Sequence, residues 1–193
     1  MKYEDALLRA KWFVAALRPA CTRIEIVGSV RRGKPEVHDI ELLLSIKNEK
    51  PIPEFGKPNS VYETKLDNIL ADLEYGDILR QASDKKDGAK YKKRALRHTG
   101  ELNEFCLDLF IVLPPADWGV LSVIRTGPVD FSKWMVTKKI HGGALPDNCY
   151  VKEGAVWNGE DGSKFSLPEE EDFFRLSGMD FINPSERVAK WKR

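Results

Sequence analysis

A chain of 193 residues with 42% hydrophobic content and a formal net charge of +1 is long enough to bury a sizeable core and is neither fibrous nor disordered in composition. No stretch approaches the roughly 18 uncharged apolar residues of a membrane span, and the charges between Lys2 and Asp5 exclude a signal-peptide run there. A soluble intracellular protein is expected, cytoplasmic or with a nuclear or virus-associated setting, and three scattered cysteines (Cys21, Cys106, Cys149) beside three histidines argue against disulfides or zinc.

Ala6, Leu7, Ala10, Phe13, Val14 and Leu17 recur at helical spacing and predict an amphipathic helix over residues 3–17, stopped near Pro19. Residues 23–27 and 39–46 alternate and are rich in branched side chains, which predicts two strands joined by a glycine-bearing turn. Pro51, Pro53, Gly56 and Pro58 mark a loop, and residues 62–73 read as a second helix with Leu66, Ile69, Leu70 and Leu73 inward. Residues 77–82, 90–97 and 102–113 look like three strands, parted by turns at Asp87-Gly88 and Thr99-Gly100. Pro114-Pro115 cannot continue the last strand and marks a boundary. Beyond it, residues 118–124 and 131–140 predict short helices, the second closed by Gly142-Gly143. Residues 149–157 predict a strand, and 169–176 a helix before Gly178. The expected architecture is α+β, with a mixed β-sheet and flanking helices in residues 1–113 and a small α/β domain in 114–193.

Side chains alternate along a strand, so Asp39 and Glu41 share one face while Ile40 and Leu42 share the other. Like charges so close call for a neutralising divalent cation, which takes oxygen ligands. Asp108, in the otherwise apolar run from Phe105 to Val112, would be costly to bury unpaired and is the natural third ligand. Three such carboxylates can hold two Mg2+ ions, or Mn2+ as a substitute, about 4 Å apart for an in-line displacement at phosphorus. Gly28 permits close backbone approach to a ligand, the Ser29 hydroxyl can bind phosphate oxygens, and Arg32 can grip a triphosphate.

Charge is unevenly distributed. Lys85, Lys86, Lys90, Lys92, Lys93, Arg94 and Arg97 fall in one stretch, Lys133, Lys138 and Lys139 in another, and Lys190, Lys192 and Arg193 close the chain, while acid gathers at residues 169–172. Such segregation suits either a basic face for nucleic acid or ordinary solvated surfaces.

Gly28-Ser29 followed by Asp39-x-Glu41 resembles the nucleotidyltransferase superfamily, and Arg31-Arg32-Gly33 narrows the likeness to the family X DNA polymerases, the DNA polymerase beta-like enzymes. Residues 118–119 and 125–133 resemble that family's stretch around its aromatic-Thr-Gly-Ser motif, and residues 170–187 resemble its closing segment. The resemblance implies a nucleotidyltransferase palm in 1–113 and a nucleotide- and DNA-binding thumb in 114–193. Asp39, Glu41 and Asp108 would be the catalytic metal ligands, with Gly28, Ser29 and Arg32 on the incoming triphosphate. Thr126 and Gly127 would border the sugar, Phe131 and Ser132 would face the nucleotide, and Lys133 would lie near the template base. Lys90, Lys92, Lys93 and Arg94 would approach the DNA backbone in a salt-sensitive contact.

Three departures bear on what the resemblance implies. Glu41 stands where the family's polymerases have Asp, Ile124-Arg125 replaces the aromatic pair that bears on sugar choice, and Ser132 and Val136 replace base-reading and template-supporting side chains, which suits low fidelity. The family's bend at Gly127-Pro128 implies a cis peptide there. The chain begins at the palm's leading helix, so neither a lyase nor a helix-hairpin-helix region is expected, as in a minimal viral palm-plus-thumb member. The implied activity is templated addition of nucleoside triphosphates to a primer on primer-template or gapped DNA, for short gap filling in repair, by a monomer. A template-independent terminal transferase, a transferase acting on RNA ends or a small molecule, and a non-catalytic DNA-binding module are the alternatives.

Overall fold

The computed structural model describes residues 1–47, 64–100 and 103–191. The expected loop at Pro51 to Pro58, the first residues of the second helix, the start of the strand at Leu102, and Lys192 and Arg193 lie outside the described residues.

Helix α1 (Tyr3–Leu17) buries Ala6, Ala10, Phe13 and Leu17 along one stripe and gives way to a 3-10 turn containing Pro19. Strand β1 (Cys21–Val27) leads into the single helical turn α2 (Gly28–Arg31), which occupies the connection to β2 (Asp39–Ile46). Helix α3 (Lys65–Tyr75) starts at a reciprocal cap: the Thr64 hydroxyl accepts from the Asp67 backbone amide, and the Asp67 carboxylate accepts from the amide of Thr64. Strands β3 (Leu79–Gln81), β4 (Tyr91–Leu96) and β5 (Cys106–Ile111) complete a five-stranded sheet of order β1-β2-β5-β4-β3. β2 and β5 run parallel at its centre, and the other neighbours are antiparallel. The chain is thus α+β, a mixed sheet with flanking helices.

The alternation of β2 sorts its side chains. Ile40, Leu42 and Leu44 pack with Leu107, Leu109 and Ile111 of β5 under α1 and α3, forming the first core. Asp39, Glu41 and Leu43 lie on the opposite face, where Leu43, Val27 and Phe110 meet Trp118 in a smaller cluster. Trp118 opens helix α4 (Trp118–Thr126), so the second half of the chain covers the edge of the same face that bears the carboxylates.

Beyond α4 lie α5 (Val129–Val136), β6 (Cys149–Lys152), β7 (Ala155–Asn158) and α6 (Glu170–Leu176), which build a separate core around Phe131, Phe173 and Phe174. Two expectations change here. The single strand over 149–157 is a hairpin, because Glu153 and Gly154 both adopt left-handed backbone (φ 54° and 77°) and reverse the chain. The helix expected over 131–140 ends at Val136. Thr137 is extended, and a 3-10 turn over Lys139–His141 follows, closed by Gly142 at φ 82°.

The cis bond expected at Gly127-Pro128 is not found. Among the described residues the cis peptide joins Pro114 to Pro115. At Gly127 the change of direction comes from the glycine's own dihedrals, φ −30° and ψ 178°, and Pro128 then enters α5 from extended backbone through a trans bond.

Candidate active site

The parallel pairing of β2 with β5 sets Glu41 directly opposite Asp108 and Asp39 opposite Cys106. The antiparallel pairing of β4 with β5 sets Lys93 opposite Asp108 from the other side. Two carboxylates from β2 and one from β5 therefore share a face at the middle of the sheet. Asp108 is 8% exposed, and Asp39 and Glu41 are half-buried.

Loss of water raises the pKa of all three carboxyls. Glu41 is pushed up to about 7, first by burial and then by repulsion from Asp39 and Asp108, against the pull of Arg32 and Arg125. Burial raises Asp39 despite His38, Lys93 and Arg32. It also raises Asp108, whose carboxylate accepts a 2.8 Å hydrogen bond from the Tyr91 hydroxyl.

Two of the three carboxylates have a close neighbour of their own. Gly28, at φ 66°, lies so close to Glu41 that an added Cβ would fall 1.6 Å from Oε2. Tyr91 holds Asp108. Accordingly, among the described residues no three Asp, Glu, His or Cys side chains already converge into a cage for one ion. The residues nonetheless suit hard divalent cations: they offer only carboxylate oxygens, their mutual repulsion is relieved by positive charge, and Gly28 leaves a cradle that any side chain would fill. Beside it the buried Ser29 hydroxyl and the Arg32 Nε have no hydrogen-bond partner among the described residues, which a phosphate oxygen could supply.

The signature turn and the Thr126-Gly127 stretch, far apart in sequence, meet. Arg32 donates to the carbonyls of Thr126 (2.6 Å) and Gly127 (2.8 Å). Arg31 donates to the Thr126 hydroxyl (2.8 Å) and to the Glu170 carboxylate (2.7 Å). Thr126 is fully buried under these contacts.

Of the other expected site residues, Phe131 and Ser132 are turned into the second core and Lys90 and Lys133 into solvent. Phe131 is fully buried among Trp134 and Phe174 in the second core. The Ser132 hydroxyl donates to the Ile124 carbonyl at 2.8 Å, packed so tightly on Gly127 that a Cβ there would meet its oxygen at 1.9 Å. Lys133 and Lys90 are exposed.

The basic strand divides by alternation. Lys92 and Arg94 turn to the helix side, where Lys92 pairs with Asp67 of α3 (2.8 Å) and with Asp87 (3.0 Å). Arg94, 4% exposed, pairs with Glu74 of α3 and with Asp87. Tyr91 and Lys93 are the polar side chains of β4 on the carboxylate face, and the Lys93 ammonium lies 2.9 Å from Asp84.

Sequence reasoning gives Tyr91, Arg31, Glu170 and Arg125 no role in the site. Arg125 lies over the Phe110 ring, 3.9 Å from its centroid, and its charge reaches Glu41. Tyr91 is recoverable, since it shares the alternation of Lys93 two residues on. Nothing local in the sequence shows that Arg125 reaches Glu41 or that Glu170 meets Arg31. Comparison of the chain with protein-family models and with curated proteins finds no match, so the likeness to family X rests on the residues themselves.

Proposed function

We propose that this chain is a nucleotidyltransferase of the family X DNA polymerase type, adding nucleotides to the 3′ end of a DNA primer and suited to short gap filling. The observation that carries the reading is the face formed by Asp39, Glu41 and Asp108 on paired parallel strands, bordered by Gly28 and the unpartnered Ser29 hydroxyl. On this reading residues 1–113 act as palm and 114–193 as thumb.

Asp39, Glu41 and Asp108 would hold two magnesium ions. When bound, these would neutralise charge on the attacking and leaving oxygens of an in-line transfer. The protein's own groups do the remaining work. Ser29 offers a donor to phosphate, and Arg32, already at the mouth, adds positive charge while holding the Thr126-Gly127 turn against the site. Tyr91 orients Asp108, and Lys93 tempers its charge.

Primer extension on gapped, templated and single-stranded DNA, with magnesium or manganese and with deoxy- or ribonucleotides, tests the reading. Asp108→Asn and Asp108→Ala are expected to abolish extension; extension at the parent's rate by either would sink it.

A transferase acting on a smaller acceptor, or on an RNA end, is the second reading. It is favoured by one observation: Lys92 and Arg94 are matched by acids on the helix side and leave few cations beside the carboxylates for a duplex. Nucleotide transfer to such an acceptor without primer extension would select it.

A further inference from the structure

At the far end of α5 the chain forms a rigid basic corner with an apolar tip. The turn over Lys139–His141 is fastened on both sides: Lys139 N donates to Leu145 O (2.8 Å), Leu145 N to Thr137 O (2.9 Å), and Gly143 N to Lys138 O (3.0 Å). The Asp147 carboxylate accepts from the amide of Ile140 itself at 2.7 Å. Gly143 is required there, because a Cβ would lie 2.0 Å from the carbonyl oxygen of Thr137. This fixed turn holds Ile140 outward, 73% exposed, between exposed Lys139 and His141. The side chains of Lys133, Lys138 and Lys139 have no hydrogen-bond or ion-pair partner among the described residues, in contrast to the matched cations of β4.

A solvated surface does not need an isoleucine presented on a hydrogen-bonded turn among unmatched lysines. That combination fits a polyanion with an apolar interior reachable between its charges. A single aliphatic side chain buries too little area to hold a bilayer, whereas one such residue suffices to wedge against a base step while neighbouring cations take the phosphates. Position agrees. Helix α5 has 8 residues, about 12 Å of rise, and begins beside the Gly127 carbonyl that Arg32 holds at the carboxylate site. Its far end therefore lies about one such rise, about 12 Å, from that carbonyl.

We propose that the corner formed by Lys138, Lys139 and Ile140, with Lys133 on the approach, is a duplex-DNA contact in which the lysines bind backbone phosphates and Ile140 packs into the minor groove near the primer terminus. The inference rests on the DNA-polymerising reading for its partner and goes beyond it by assigning the grip.

The test is fluorescence anisotropy on a gapped duplex across a salt series, with 2-aminopurine reporting near the primer end and circular dichroism checking the fold. Lys138→Ala/Lys139→Ala is expected to lower the slope of log affinity against log salt by about 2. Ile140→Ser is expected to weaken binding several-fold with the slope unchanged, and to lose the 2-aminopurine signal at the base step that Ile140 packs against, located by moving the probe through the pairs next to the primer end. Unchanged slope and affinity in the folded variants, with a parent that binds and extends primers, overturns the inference and leaves the polymerase reading standing. A parent that extends nothing yet grips duplex through these residues keeps the inference and removes that reading. A parent that ignores duplex and sediments with phosphatidylserine vesicles overturns the inference in favour of a membrane surface.

Discussion

The Tyr91 hydroxyl donates to the Asp108 carboxylate across 2.8 Å while its ring lies flat on Phe110, with centroids 5.1 Å apart. Phe110 in turn carries the Arg125 guanidinium. A buried acid is thus oriented by a ladder of rings whose outer end is a cation. Burial and the nearby carboxylate push the Tyr91 hydroxyl above its ordinary pKa, so it stays a donor at any working pH. Tyr91→Phe keeps the stack and removes the donor. Unfolding free energy at pH 8, measured by urea titration, should fall by about 1.5–3 kcal/mol, the range for a hydrogen bond to a charged group. A variant as stable as the parent would mean that Asp108 needs no orientation.

Glu41 makes the stability of the metal-free protein depend on pH with an unusual sign. Its carboxyl titrates near 4.5 in the unfolded chain and about 7 in the fold. The protonated form is the one the fold prefers, so its contribution is fully present below pH 4.5 and is lost as pH rises through 7. The loss is on the order of 3 kcal/mol. Glu41→Gln should flatten this part of the profile and be the more stable protein at pH 8, read by thermal melts from pH 5 to 8 in chelator. Magnesium should raise the parent's melting temperature at pH 8 and leave the variant's nearly unmoved.

Much of this site is legible in the sequence, for a physical reason. Strand alternation alone puts Asp39 and Glu41 on one face, and the β2 bounds coincide with those read from its branched residues. Asp108 announces itself by being charged in an apolar strand. The face that Lys92 and Arg94 take is hidden in the sequence, because it depends on where α3 brings Asp67 and Glu74, 25 and 20 residues away in the chain. The hairpin at Glu153-Gly154 is hidden for another reason: glutamate is not a residue from which a left-handed turn is expected. At Gly127-Pro128 the family's cis bend does not carry over, because the glycine makes the change of direction by itself.

Gly28 tests how closely the signature turn must approach the carboxylates. Two penalties coincide there, a left-handed φ of 66° and a Cβ overlapping Glu41. Gly28→Ala should cost about 1 kcal/mol from the backbone alone. It should also push the Glu41 carboxylate out of its place, so that the melting response to magnesium is lost along with stability. Gly33→Ala is the control, sharing the same φ but with nothing within 4 Å of its added Cβ. It should lose the backbone share and keep the magnesium response.

Glu170 joins the two halves of the molecule through charge. It stands between Arg31 of the signature turn (2.7 Å) and Arg187 (2.9 Å), whose side chain is fully buried over the rings of Phe131, Phe174 and Phe181. Burial lowers the Arg187 pKa, and Glu170 opposes that shift in part. Glu170→Gln keeps the shape and removes the one negative charge that both guanidiniums share. Breaking a buried pair from one side leaves an uncompensated charge and costs about 3–5 kcal/mol, far more than Arg31→Ala, whose partner would still be matched by Arg187. Guanidinium denaturation should rank the variants in that order, and the double variant Glu170→Gln/Arg187→Met should recover part of the loss by removing the stranded cation as well. Equal cost for Glu170→Gln and Arg31→Ala would show that packing over the aromatic rings, and not the shared charge, holds this joint together.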